Sequence, residues 1–586
     1  MRPLRAALAL ALSACWATAP VAQNNVLILV ADDLGIDSIG AYGVGSAPPP
    51  TPNIDALASS GVMFRNFWSN AICSPTRACI QTGRYSLRTL VGQAIPFGAG
   101  GVLRLRERTL PEVLDRAGSG YAHAAIGKWH LGDSSVGGVL APNFAGWSHF
   151  AGIVDGGVHN YFSWQRTVDG TTSLSTDYAT SKIVDDALAW TTQQTQPWVC
   201  YLSFNAPHSP FHAPPAGLHS QDLTGLDPSE APIPFYKAMV EAMDTEIGRL
   251  LAGLGSQRAQ TNVFFLADNG PDGAVVEPPF TAARGKGTPY EGGLNVPLIV
   301  SGPDVVAGGR TSDALVGAVD LFSTVCELAA VSPRSVVPAW VALDSRSLLP
   351  YLRRPGQVPL RQFVFAEQFS GSQFGQVTTS GFGVIRDDRY KLIRFHNGAT
   401  FREQLYDLWL DPLEVYNLMA WPLTPEQAQA RQILADEMDR LRSPPGGFYN
   451  FATTSCEGSA GVPLLTGLGQ PVVGQTYAMT LNRGAPLRPA VLVVGGSAAR
   501  WGPVPLPLAL STIGAGLGCE LLVSLDVMIP LATDATGTAS LPIPLPAALA
   551  LVGESVFHTW LVSDPAAPAN PLGVTVSGAA AVTVGL

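Results

Sequence analysis

At 586 residues the chain is too long for a single core, so two or three domains are expected. It is 47% hydrophobic and 14% charged, with 61 Gly and 48 Pro, which excludes a disordered chain and fits a globular protein rich in turns. The formal net charge of -10 argues against nucleic acid as a partner.

Residues 1–22, MRPLRAALALALSACWATAPVA, carry two arginines, a short Ala/Leu run and small residues before Gln23. This is the pattern of a secretory signal peptide, too short to span a bilayer. Leu12 to Cys15 also reads as a bacterial lipobox, so ordinary cleavage near Ala22 and a lipid anchor at Cys15 both stay open. Either outcome makes the protein secreted, periplasmic or bound to the cell surface. No later stretch is apolar and long enough for a transmembrane span. Seven cysteines in so long a chain are not a disulfide scaffold.

The next unit, 23–350, alternates short apolar runs with amphipathic helical patterns, the rhythm of an α/β domain. NVLILV (25–30), AHAAIG (122–127), WVCYLSF (198–204) and NVFFLA (262–267) read as buried strands. Met239, Met243, Ile247, Leu250 and Leu254 recur at helical steps and predict one helix over 235–254. Residues 351–445 read as a smaller antiparallel α+β unit, closed by a helix over 424–442. SPPGG marks a boundary. Beyond it, 451–586 lacks lysine and runs through Val/Leu/Pro/Gly stretches, which predicts an appended all-β, sandwich-like domain in which Cys456 and Cys519 could pair.

The residues immediately after each strand carry the chemistry. The four runs end in Asp32-Asp33, Lys128-Trp129-His130, Asn205-Ala206-Pro207-His208 and Asp268-Asn269. Ligands collect outside the carboxyl ends of strands in open α/β sheets, so four polar clusters at four strand ends predict one shared site. Three aspartates and an asparagine are hard oxygen donors, suited to Ca²⁺, less to Mg²⁺, and not to zinc. Cationic side chains beside such a site suit a sulfate or phosphate ester. The chain has only five lysines, Lys128, Lys182, Lys237, Lys286 and Lys391, so one inside a motif is informative.

CSPTRACIQTG (73–83) resembles the sulfatase signature C-x-P-x-R-x-x-x-x-T-G, matching it at Cys73, Pro75, Arg77, Thr82 and Gly83. GKWHLG (127–132), KGTPYEGG (286–293) and LYDLWLDPLEVYNL (405–418) are similar to further blocks of that family, in the family's order. The resemblance spans roughly 24–440 and is nearest to arylsulfatases and N-acetylgalactosamine-6-sulfatases. It implies an alkaline-phosphatase-like α/β fold with a central mixed sheet, and a sulfuric ester hydrolase. It also implies that Cys73 is oxidised to formylglycine by a maturation enzyme. The logic is chemical: one hydroxyl of the aldehyde hydrate attacks sulfur, and the second then expels sulfate, whereas a serine would stay esterified.

By the same resemblance Asp32, Asp33, Asp268 and Asn269 would hold Ca²⁺ with the group derived from Cys73, and Arg77 would neutralise the developing alkoxide. Lys128 and Lys286 would bind sulfate oxygens, His130 would hydrogen-bond the formylglycine hydroxyl, and His208 would protonate the leaving alcohol. Pro75 suits a helix start whose N–H groups face the anion. Cys79 reads as a small buried hydrophobe, and His149, His159, Tyr161 and His212 lie in loops near the motifs. Two departures stand out: Asn295 replaces an arginine common after EGG, and Arg284-Gly285-Lys286 replaces R-G-G-K. The implied partner is a sulfated small molecule or polysaccharide. A phosphomonoester or phosphonate hydrolase and a non-catalytic glycan-binding surface protein remain the alternatives.

Overall fold

The computed structural model describes residues 23–585 except 96–101, 106, 338–340, 371–379, 398–399, 443–447, 452–455, 470, 514–518, 549–550, 552–553 and 568–569. The signal-peptide and lipobox readings fall on residues 1–22 and lie outside the described residues.

Ten strands build a central mixed sheet: β1 (Asn25–Ala31), β2 (Val62–Trp68), β3 (Ala122–Lys128), β4 (His149–Ile153), β5 (Trp164–Val168), β6 (Thr171–Ser175), β7 (Trp198–Ser203), β8 (Thr261–Ala267), β9 (Leu298–Ser301) and β10 (Arg310–Gly317). Their order is β10-β2-β9-β8-β1-β7-β3-β4-β5-β6. The middle run β8-β1-β7-β3 is parallel throughout. β1, β7 and β8 are buried at every residue, which is why they are continuous apolar runs rather than alternating ones. The register sets Ala31 opposite Ala267, Val30 opposite Ser203, and Ser203 opposite Gly127. Four strand ends, carrying the four polar clusters, therefore lie level along one edge. The expected helix is Pro232–Gly253, with Met239, Met243, Ile247 and Leu250 fully buried.

A second, antiparallel sheet joins β11 (Val364–Ser370), β12 (Ser380–Arg386), β13 (Tyr390–Asn397) and β14 (Thr400–Asp407) in that order. The helix Pro425–Arg442 lies on β12 and β13 and buries Ala430, Leu434, Ala435 and Met438, one face at helical spacing. Past residue 447, a six-stranded antiparallel sheet faces a three-stranded one. Tyr477, Met479 and Leu481 of the smaller sheet pack with Leu492, Trp560, Val562 and Val582 of the larger, the core of a sandwich. Cys456 and Cys519 form a disulfide. The sandwich sits against the first unit through an Arg104–Glu554 ion pair at 3.0 Å and a hydrogen bond from Arg116 Nη1 to the Leu506 carbonyl at 2.7 Å. No helix among the described residues is long and apolar enough to cross a membrane.

Within the sandwich, His558 is buried, and its Nε2 lies 3.0 Å from the Tyr477 hydroxyl. Burial lowers its imidazole from 6.5 to about 4. Between those values the unfolded chain binds the proton and the folded one does not, so stability falls as pH drops from 6.5 toward 4. The loss at pH 4 is about 3 kcal/mol by linkage. Urea unfolding followed across that range should show the loss, and His558→Asn should flatten it.

Candidate functional site

Asp32 and Asp33 follow β1, Asp268 and Asn269 follow β8, Lys128 ends β3, and Asn205 stands two residues past β7. All are buried. Two residues of the site hold left-handed backbone, Asp33 at φ 68° and His130 at φ 57°. That conformation costs a non-glycine residue free energy, and such strain concentrates where geometry serves chemistry.

Cys73 opens the helix Cys73–Thr82 just beyond β2, so the free N–H groups of the first turn surround it. The motif's Gly83 ends that helix at φ 67°, its N–H donating to the Cys79 carbonyl at 2.8 Å. One turn in from Cys73, fully buried Arg77 donates through Nε and Nη2 to Asp268 Oδ2 at 3.0 and 2.7 Å. Its Nη1 donates to the Lys128 carbonyl at 2.9 Å and to the Ser203 hydroxyl. This one guanidinium therefore ties the helix to the ends of β8, β3 and β7. Cys79 is buried as expected and accepts a hydrogen bond from Asn70.

The Asp pair is charge-matched from two sides. Lys128 Nζ lies 2.6 Å from Asp32 Oδ2, and Lys286 Nζ lies 2.8 and 2.6 Å from the two oxygens of Asp33. Asn269 Nδ2 donates to Asp33 Oδ1 at 2.6 Å. Against the pull of burial, Asp33 and its neighbours raise the Lys286 ammonium above its ordinary value, so it stays charged. Burial pushes the Cys73 thiol up to about 11, with Lys128 and Lys286 pulling the other way. As encoded, this sulfur is a thiol at neutral pH and a poor nucleophile.

The donor set fits a hard divalent cation. One ligand atom each from Asp32, Cys73 and Asp268 lie within 4.8 Å of one another, as do those of Asp32, Asp33 and His208. Asp32 Oδ1 and Asn269 Oδ1 are buried oxygens with no hydrogen-bond partner among the described residues. Buried acceptors are normally satisfied, and converging carboxylate and amide oxygens left open are what Ca²⁺ uses. Three carboxylates here meet three cations, Arg77, Lys128 and Lys286; a divalent ion would leave the site positive toward an anion.

The two histidines are oriented by carbonyls. His130 Nε2 donates to the Ile95 carbonyl at 3.0 Å, and its Nδ1 has no partner among the described residues. Burial, with Lys128 and Arg77 nearby, holds His130 well below 6.5, so it is neutral and Nδ1 is a free acceptor. His208 Nδ1 lies 2.6 Å from the Ser209 carbonyl, leaving Nε2 3.7 Å from Asp33 Oδ2. The Tyr161 hydroxyl lies 2.6 Å from the Asn205 carbonyl and 2.7 Å from that of His208.

Thus all ten sequence-predicted residues, Asp32, Asp33, Cys73, Arg77, Lys128, His130, His208, Asp268, Asn269 and Lys286, gather at the same end of the sheet, around the ion pairs Arg77–Asp268, Lys128–Asp32 and Lys286–Asp33. His149 does not belong near them: it opens β4 at the opposite end of the sheet and pairs with Asp169 at 2.8 Å. Asn205, to which the motifs assign no role, is buried with both side-chain amide atoms unpartnered among the described residues. Its place at a strand end beside His208 was the available signal.

The family model described as Sulfatase matches residues 24–331, and the one described as N-sulphoglucosamine sulphohydrolase, C-terminal, matches 285–443. Arylsulfatase A of Homo sapiens is 29% identical over 71% of this chain and 88% of its own. N-acetylgalactosamine-6-sulfatase of Homo sapiens is 32% identical over 56% of this chain and 65% of its own. Among solved structures, the PsFucS1 sulfatase from Pseudoalteromonas sp. has a TM-score of 0.57 at 22% identity, covering 72% of this chain and 91% of that one, a likeness of fold. The mixed ten-stranded sheet with its helices is accordingly of the alkaline-phosphatase-like type, with further antiparallel sheets toward the C-terminus.

Proposed function

The chain belongs to the sulfatase family, hydrolases of sulfuric esters, and from that premise we propose an exported, calcium-dependent sulfatase whose nucleophile is made from Cys73. The observation that carries this reading is the convergence of Asp32, Cys73 and Asp268 within 4.8 Å, with Lys128 and Lys286 paired to the adjoining Asp32 and Asp33.

Asp32, Asp33, Asp268 and Asn269 would hold Ca²⁺ rather than Mg²⁺, because four protein oxygen donors suit the larger, less strictly octahedral ion, whereas Mg²⁺ usually keeps several waters and takes one or two carboxylates. When bound, it would add positive charge beside residue 73 and a sulfate oxygen. Formylglycine at position 73 would supply a hydrate with one hydroxyl to attack and another to expel sulfate. The remaining work falls to this chain's own groups. Lys128 and Lys286 stand beside the carboxylates, where their ammonium groups can take sulfate oxygens and offset charge as the S–O bond lengthens. Arg77, locked by Asp268, steadies the helix start that carries residue 73. His130 Nδ1 can accept the proton of the residue-73 hydroxyl, and His208 Nε2 can deliver one to the departing oxygen.

A carbohydrate or aryl sulfate is the proposed substrate, the chemistry named in relatives such as N-acetylgalactosamine-6-sulfatase. The Cys456–Cys519 disulfide supports an oxidising, exported setting. A catalytic domain over 23–350, a subdomain over 351–445 and a sandwich over 451–586 is the division that goes with this reading. The test is the mass of the tryptic peptide containing Cys73 in an active preparation. It should be about 18 Da lighter than the encoded cysteine peptide. An intact thiol in active enzyme would overturn the nucleophile. Chelation should abolish turnover and lower Tm, with Ca²⁺ restoring both better than Mg²⁺; activity indifferent to chelation would overturn the metal.

A further inference from the structure

The rim above the two histidines is built by residues 155–162, the segment that leaves β4. Backbone N–H groups of Trp129 and His130 donate to the Ile153 and Val154 carbonyls at 2.8 and 3.1 Å, which fixes where this segment starts. It then passes directly over both rings. A Cβ added at Gly156 would fall 2.6 Å from His130 Nε2, and one at Gly157 would fall 3.9 Å from the His208 ring. Only glycine allows the first approach. Further on, Tyr161 reaches down to the His208 carbonyl, as described above.

The next residue turns outward. Phe162 N–H donates to Asn160 Oδ1 at 2.7 Å, a side-chain turn that holds the loop in place. Its ring stacks on Tyr178 with centroids 5.0 Å apart and meets His212 edge-on at 5.7 Å. His212 in turn stacks on Tyr161 at 4.2 Å, and its Nε2 lies 3.2 Å from the Tyr178 hydroxyl. Three of these rings are wholly or largely covered, yet Phe162 is 41% exposed. A benzyl side chain braced by two packed rings is a preorganised apolar surface rather than a loose loop residue. It is joined through Tyr161 and His212 to the histidine assigned to the leaving group.

We propose that Phe162, braced by Tyr178 and His212, is the shelf on which the ring of the leaving alcohol lies, a subsite for an alcohol whose ring offers an apolar face. Both a pyranose and an aryl ring offer such a face. The inference rests on the sulfatase reading and adds to it a residue that selects the substrate's organic part without touching sulfate.

The test uses the full chain with residue 73 converted, as wild type, Phe162→Ala and Phe162→Tyr. Three substrates are compared: para-nitrophenyl sulfate, a methyl hexopyranoside sulfate and a short acyclic alkyl sulfate. Phe162→Ala should raise KM about three- to tenfold for the ring substrates, the worth of one aromatic contact, with kcat nearly unchanged. Phe162→Tyr should restore it. The alkyl sulfate and inhibition by inorganic sulfate should be unaffected. Whichever ring shows the larger KM change identifies the class the shelf fits. Unchanged KM for both rings, or an equal loss on the alkyl sulfate, would overturn the shelf while leaving the sulfatase reading intact. Wild-type turnover of none of the three would overturn the reading itself, and the shelf with it.

Discussion

Cys73→Ser is expected to cut steady-state turnover of an aryl sulfate by about a thousandfold or more, the scale of losing a covalent nucleophile. The fold should survive, because residue 73 is 2% exposed and oxygen for sulfur is a small change at a helix start that Arg77 still anchors. The chemistry gives this variant a sharper signature than inactivity. A serine hydroxyl can attack sulfur once, but it carries no second hydroxyl to expel the sulfate. The protein should therefore accumulate a sulfate ester at residue 73 and stop after one turnover. Intact mass would rise by about 80 Da, the mass of an added SO₃ group. Multiple turnovers by the serine variant would mean that residue 73 is not the nucleophile. Loss of turnover together with a lowered Tm would mean that it acts on folding instead.

Much of this site was legible because of how buried parallel strands are written. β1, β7 and β8 lie inside the sheet with both faces covered, so each is an unbroken apolar run, and the polar residue that ends it stands out. Reading those ends and that of β3 found seven of the ten residues, Asp32, Asp33, Lys128, His130, His208, Asp268 and Asn269, without any family signature. Cys73, Arg77 and Lys286 follow no such strand end and were found only through the motifs. The pairing of each lysine with one aspartate was not legible at all. It depends on β3 lying one strand away from β1, across β7, and on a loop more than 250 positions from Asp33, contacts with no local trace. His149 failed for a related reason. A histidine after a Gly-Trp pair looks like loop, but it starts a strand whose direction puts it at the far end of the sheet. The rim over His130 was also hidden. Gly156 and Gly157 look like any flexible pair until the ring beneath them is known.

Lys391→Met is expected to cost about 3–5 kcal/mol of stability, a large thermodynamic effect for a single change, because it strands buried charge. Lys391 on β13 is fully buried, with Nζ 3.0 Å from Glu291 Oε1 and 2.7 Å from Glu414 Oε1, and 4.8 Å from the Trp68 ring. Against its burial, Lys391 and Arg386 hold the Glu291 carboxyl below its ordinary value, while burial raises that of Glu414. With the ammonium gone, Glu291 is left with Arg386 at 3.4 Å and Glu414 with Arg284 at 4.0 Å, and neither replaces the closer Lys391 contact. The same cluster fastens the second sheet to the active-site side of the molecule. Glu414 Oε2 accepts the Glu291 N–H at 2.7 Å, and Glu291 opens the short helix just after the Lys286 loop. Chemical unfolding should therefore show the loss, and KM for the sulfate ester should rise as the Lys286 loop loosens. The pH dependence supplies the sign that separates this account from simple cavity formation. In the variant both carboxyls would have raised folded values, so the folded state binds protons that the unfolded state releases, and stability should recover as pH falls from 8 toward 5. Adding Glu291→Gln and Glu414→Gln to Lys391→Met should restore most of the loss at pH 8, since neutral amides remove the stranded charge. A triple variant no more stable than the single one would assign the cost to packing around Trp68 instead.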